Sequence, residues 1–268
     1  MRYVALTFLI TCLGSFQNCG PVNFSASGDL GSGGNVNAFG NPNGLPGLPD
    51  EPTTAPEQKN LICNFQSISK INWDQTPVNT NLPDQSQMNQ SSGVDFGPSN
   101  RVDIEANSGP SFIVESAELL ASFSRNSGPL VANARNVSSI SGGSGSIDLN
   151  AVTVGEISSL SAEHICVEAH LIKELSHYSS GNVVISSTGS TGTLHEISSS
   201  SSGKLVLINM NVDTITAGSG RTFIQGGHIG LISSTSGDLY LDNVTVDQLT
   251  ASSSTVHLIN GAQVLNRN

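Results

Sequence analysis

Proline, aromatics and basic residues are what this 268-residue chain has least of. All eleven prolines fall between Pro21 and Pro129, and none occurs from Leu130 to Asn268. Proline has no N–H to give to a strand ladder and breaks a helix interior, so its absence marks a long stretch of uninterrupted regular structure. Aromatics make up 5% of the chain and charged residues 12%, about half the usual charged share. Ten Lys and Arg against 21 Asp and Glu give a net charge of −11, so no basic patch exists for phosphates and nucleic acid is excluded as a partner. Between Asn136 and Asn266 the only basic residues are Lys173, Lys204 and Arg221. The apolar run from Val4 to Gly14 is too short to cross a bilayer as a helix. Low charge also sets the chain apart from disordered sequences, which pair low hydrophobicity with high net charge.

What fills the space is Ser, Thr, Asn and Gly, in a repeat. From Ser202 the chain reads SGKLVLINMNVDTITAG, SGRTFIQGGHIGLISST and SGDLYLDNVTVDQLTAS, and SSTVHLINGAQVL opens a fourth block. Each 17-residue block starts with Ser-Gly or Ser-Ser and carries apolar residues near positions 4, 6, 9, 11 and 14. A fixed period of this length is the mark of a repeat architecture, in which each unit buries its apolar face only against its neighbours. Leu205-Val206-Leu207, Leu239-Tyr240-Leu241 and Val256-His257-Leu258 alternate with period two, and the spacing leaves no room for a helix hairpin, so the units are strands. The pattern extends backwards through Ser180, Ala162, Ser144 and Ser127 to about Ser108, with an insertion around Thr188-Gly192 that lengthens one coil to about 22 residues. The expectation is about nine coils, stacked at the strand spacing into a rod roughly 40 Å long.

Apolar pairs at 4/6 and 9/11 with a single at 14 imply three short faces with tight corners. Because 17 is not a multiple of six, the strict hexapeptide of left-handed β-helices is ruled out. The predicted fold is all-β: a right-handed parallel β-helix with coils of about 17 residues, in keeping with the usual hand of parallel crossovers. The repeat resembles short-coil bacterial solenoids such as bactofilins and, more loosely, the pectin-lyase-like superfamily.

The N-terminus reads as an address. Met1-Arg2-Tyr3 is a positive n-region, Val4–Gly14 an apolar core, and Cys19 follows directly. This arrangement resembles the lipobox of bacterial lipoproteins in a relaxed form, with Gln17 and Asn18 where that family has small residues. The resemblance implies a signal peptide over 1–18, lipidation at Cys19 and a membrane-anchored protein of the bacterial cell envelope. Gly20 after the cysteine, with no Asp to signal inner-membrane retention, implies the outer membrane. Residues 19–58 are rich in Gly, Pro and Asn, lack an apolar period and read as a disordered tether with a root-mean-square span of roughly 35 Å. Residues 59–107, with Ile62, Phe65, Ile68, Ile71 and the single Trp73, are read as a cap over the N-terminal end of the solenoid domain at 108–268. Asn100 to Ile104 is a candidate first coil strand.

Candidate sites are few. Asn209, Asn243 and Asn260 recur at position 8, with Gly226 between the first two, and fit a left-handed corner with stacked amides, a structural ladder. Asp213 and Asp247 share position 12, two coils and roughly 9–10 Å apart, a separation within the range of inverting glycosidases. No basic or aromatic sugar platform surrounds them, and no catalytic residue is assigned. His164, His170, His177, His195, His228 and His257 occupy different repeat positions, so no metal column is expected. The Gly142–Asp148 stretch lacks the Asp that a calcium-binding nonapeptide needs at Ile147. No cofactor is implied.

With Cys12 leaving in the signal peptide and Cys19 acylated, Cys63 and Cys166 remain, to form a disulfide across about 100 residues or to stay as two thiols. A disulfide closing such a loop would contribute about 4–5 kcal/mol in the chain-entropy model. The functional expectation is a lipoprotein with a structural or adhesive role, whose rod surface meets glycan or protein and whose C-terminal coil, without an evident cap, allows self-association. The alternative is a β-helix that binds or cleaves polysaccharide.

Overall fold

The computed structural model describes residue 65 and residues 68–268, except 89–93, 107–110, 126–127, 163, 178–180, 188, 200–202 and 235. The signal peptide, Cys19, the tether and Cys63 lie outside the described residues. The fold is an all-β parallel β-solenoid of about nine turns.

Its strands form one 18-stranded sheet wound on itself. The first turns contain β1 (Asp84–Met88), β2 (Val94–Phe96) and β3 (Ser99–Ala106). Three long strands follow, β4 (Phe112–Arg125), β5 (Leu130–Ser144) and β6 (Ile147–Ser161), each covering most of a coil. From there each coil is a five-residue strand and a longer one. These are β7 (His164–Glu168) with β8 (Leu171–His177), β9 (Asn182–Ser186) with β10 (Gly192–Ser199), and β11 (Lys204–Ile208) with β12 (Met210–Ala217). The series continues with β13 (Arg221–Gln225) and β14 (His228–Ser234), β15 (Asp238–Asp242) and β16 (Thr245–Ala251), then β17 (Thr255–Ile259) and β18 (Gln263–Arg267). Among the described residues the only helical element is the 3-10 turn Trp73–Gln75.

Every strand pairs in parallel with its counterpart one coil away, so each residue stacks on the residue one repeat later. Thr153 pairs with Leu171, Thr193 with Asn211, and His228 with Thr245, steps of 17 or 18 residues. The exception is Leu171 with Thr193, where 22 residues separate the partners because the insertion near Thr188-Gly192 fills the turn between β9 and β10. Stacking turns the repeat's aliphatic positions into continuous internal columns. One runs Leu149, Val167, Ile185, Leu207, Ile224 and Leu241; another runs Ile157, Leu175, Ile197, Ile215, Ile232 and Leu249. All of these are buried in the main core. At roughly 1.5–3 kcal/mol per buried aliphatic side chain, these columns drive coil stacking although the chain as a whole is only mildly hydrophobic.

The longer strand turns a corner within itself. In β12, Met210 and Val212 point inward, Asp213 and Thr214 both point outward, and Ile215 and Ala217 point inward again. Two successive outward residues break the strand alternation and divide the coil into the three short faces expected from the spacing. At the same corner one coil on, a Cβ on Gly230 would meet the Asp213 carbonyl oxygen at 2.7 Å, which explains why a glycine interrupts the Asp213/Asp247 row. The other corner carries the Asn row. Asn209, Asn243 and Asn260 have φ of 58°, 49° and 50°, and Gly226 takes the same position at 69°. Their backbones continue the ladder, with Asn209 N–H donating to Gln225 O and Asn243 N–H to Ile259 O. The amides reach other partners as well as the next coil's corner: Asn209 Oδ1 accepts from Thr191, and Asn260 Nδ2 donates to Asp242.

The N-terminal boundary differs from the expectation. The solenoid begins at Asp84, with β1 already paired to β3, so much of 59–107 is coil and not cap. The polar sequence DQSQM of β1 hides this, because it carries none of the paired aliphatics that identify later coils.

Asn and Gly tolerate left-handed backbone, whereas a β-branched residue there costs roughly 1–2 kcal/mol. Asn243→Gly should therefore leave the urea midpoint nearly unchanged, and Asn243→Val should lower the unfolding free energy by about that amount.

Candidate functional site

The residues before Asp84 lie along the flank of the coils, not over their end. Two asparagines, Asn133 in β5 and Asn150 in β6, are paired neighbours that point out of the core. Asn133 Nδ2 donates to Ser69 O at 3.0 Å and Glu115 O at 2.9 Å, and its Oδ1 accepts from Ile71 N–H and from Asn150 Nδ2. Asn150 Nδ2 also donates to Ile71 O at 2.9 Å. The two amides thus hold residues 69–71 much as a neighbouring strand would. Arg135 secures the next stretch: its guanidinium lies 4.9 Å from the Trp73 ring, donates to Trp73 O and Thr76 O, and pairs with Glu118 at 2.7 Å. Trp73 is buried, with its Nε1 directed to Asn150 O. Lys70 donates to both carboxylate oxygens of the buried Glu168, at 2.9 and 2.8 Å. The reading of this segment as an end cap is thereby corrected to a strap crossing β4 to β7. The sequence signal for it was available: an Asn pair 17 residues apart in the long-strand region, and a single Trp upstream.

Beside the strap lies a second apolar row. The middle residue of each five-residue strand points away from the core, and register stacks Asp148, Cys166, Val184, Val206, Phe223, Tyr240 and His257. Cys166, Val184, Val206, Phe223 and Tyr240 are nevertheless buried and form a cluster of their own, with Phe65 packed against it. The Phe223 and Tyr240 rings stack at 4.6 Å and 7°, and the Tyr240 and His257 rings at 4.5 Å and 11°. Cys166 points out of the main core, as strand alternation requires, and it is disulfide-bonded. Its expected partner Cys63 is outside the described residues, but Phe65, two positions later, packs on the same cluster as Cys166.

At the head of this row three donors converge. Asp148 and Cys166 are direct cross-strand partners, and His164 stands two residues before Cys166 on the same face of β7. One donor atom from each lies within 4.8 Å of the others. His164 Nε2 approaches Asp148 Oδ1 at 3.8 Å, and that oxygen is buried without a hydrogen-bond partner. Burial pushes the Asp148 carboxyl above the usual range, and the nearby His164 pulls it partly back. Sequence reading missed this group because it compared the histidines with one another. Its members are of three types and meet only through the 18-residue step from Asp148 to Cys166.

The other candidates separate. His195 contacts Asp213 at 2.7 Å and His228 contacts Asp247 at 2.9 Å, each pair bridging neighbouring coils at the surface. Each carboxylate faces its own histidine. Exposed pairs of this kind contribute about 0–1 kcal/mol. His170 Nε2 lies 3.6 Å from Asp74 on the strap. A recess lined by Ser199, Leu205, Ala217, Arg221 and Thr222 has a volume of about 10 Å³, room for little more than one water.

Fold and site together define a parallel β-solenoid with a strapped, disulfide-bonded outer face. No family model, curated protein or solved structure matches the chain.

Asp148 gives a pH test. Because its folded carboxyl holds its proton more tightly than an unfolded one, its contribution to stability is best at low pH and declines as pH rises from the ordinary carboxylate range through the raised value. Asp148→Asn should therefore raise Tm more at pH 7 than at pH 4; an equal gain at both would contradict the burial cause.

Proposed function

We propose that the protein is a lipid-anchored lipoprotein of the bacterial envelope whose solenoid serves as a structural or adhesive scaffold. The observation that carries this reading is the disulfide at Cys166, since disulfides persist in oxidising compartments and are rare in the cytosol. It agrees with the export-type N-terminus and the lipobox-like Cys19, followed by a Gly/Pro/Asn-rich tether that would hold the coils off the membrane. The outward positions of the longer strands are dominated by Ser, Thr and Asn, as in MNVDTITA and HIGLISS, a surface suited to many weak polar contacts. On the β17–β18 rung Leu258 and Leu265 are exposed, and through this rung the scaffold would meet a second copy. The polysaccharide reading is weaker, because the stacked Phe223–Tyr240 pair that could serve as a sugar platform is buried.

Expressed in a Gram-negative host and labelled with palmitate, the wild type should incorporate label and fractionate with the outer membrane. Cys19→Ser should lose the label and appear in the soluble fraction. Equal labelling of both proteins, or none, would overturn the anchored reading.

A further inference from the structure

The Asp148–His164–Cys166 group has the makings of a metal site that the disulfide at present closes. On a parallel sheet, residues i and i+2 of one strand and the partner of the latter on the next strand share one face, about 5–7 Å apart at the backbone. His164, Cys166 and Asp148 have that relation, so three side chains aim at one point without any loop to position them. Three atoms within 4.8 Å of one another admit a central ion no farther than about 2.8 Å from each, and zinc bonds of about 2.0–2.3 Å are reached by inward shifts of about half an ångström. The donors are mixed: sulfur, imidazole nitrogen and carboxylate oxygen. Such a set suits zinc and similar transition ions, and poorly suits calcium or magnesium, which take oxygen. Thiolate and carboxylate together would balance the two positive charges, and an ion there would give the unpartnered Asp148 Oδ1 the counter-charge it lacks. His164 and Asp148 keep 27% and 15% of their side-chain surface, enough to leave an entry path from solvent.

We propose that reduction of the Cys166 disulfide opens a zinc site made by Asp148, His164 and Cys166, so that this point on the outer face is held either by a covalent bond or by a metal ion. In the reductive step a dithiol donates two electrons and two protons: its own sulfurs join as a disulfide, and the S–S bond of Cys166 becomes two thiols. Zinc then displaces the Cys166 thiol proton to solvent and binds the thiolate, the neutral His164 imidazole and an Asp148 oxygen, with water in the fourth position. The proposal goes beyond the scaffold reading and does not depend on the lipid anchor.

The test uses the full chain in oxidised and dithiol-reduced forms, with Co²⁺ as the spectroscopic probe and Zn²⁺ as competitor. Reduced wild type should bind one Co²⁺ with a thiolate-to-cobalt charge-transfer band that Zn²⁺ abolishes, and the oxidised form should show no band. Asp148→Asn and His164→Ala, both at the surface margin and outside the main core, should weaken binding about tenfold or more. Far-UV circular dichroism on each sample verifies that the β signal is retained. A folded, reduced protein without the band would overturn the site. A band that survives both substitutions would assign the cobalt to other thiols and overturn it equally.

Discussion

In-register parallel pairing is the constraint on which the structure depends. Because strand side chains alternate with period two, a slip of one residue between coils would turn every inward aliphatic to solvent. The 17- and 18-residue steps keep Leu149, Val167, Ile185 and Leu207 in one column, and the same register stacks every other position too. The core columns, the left-handed corner of Asn209, Gly226, Asn243 and Asn260, and the outer row from Asp148 to His257 are one geometric fact seen at different positions of the repeat. Proline is absent after Pro129 for the same reason, since each backbone N–H in these strands is a rung of the ladder.

Stacking also creates a problem on the outside. A row of outward apolar residues one coil apart is a continuous stripe, and an exposed stripe of this kind invites association. Here the row is buried, and where the chain is described next to it the strap provides contacts: Phe65 against the Cys166 cluster and Lys70 against Glu168. Asn133 and Asn150 extend that attachment by supplying side-chain hydrogen bonds in place of a strand's. Buried amides without partners cost about 1–3 kcal/mol each, so the strap and the coils are mutually required. The polar network and the disulfide act on the same segment, one distributed over β4 to β7 and the other at a point.

The fold was legible in the sequence wherever the repeat carries aliphatic pairs. The blocks from Ser202 onward, the insertion near Thr188-Gly192 and the left-handed corner follow from spacing and from the chemistry of Asn and Gly. The first coils were not legible, because DQSQM has no aliphatic pair and β3 follows a Pro-bearing stretch that reads as a loop. The strap was misplaced for a different reason. Its contacts join residues 62 to 98 positions apart through side chains such as Arg135 and Asn133, and no local pattern encodes such distances. The convergence of Asp148, His164 and Cys166 lies between these cases: once the coil step is known, it can be computed from the sequence, but only if different residue types are compared along a column.

The account rests most heavily on the strap being fastened to the outer row at Cys166. Peptide mapping of the non-reduced protein addresses this directly. One linked pair should appear, joining the peptide that contains Cys63 to the peptide that contains Cys166, and it should vanish on reduction. Recovery of Cys166 as a free thiol, or joined to any cysteine other than Cys63, would contradict the account.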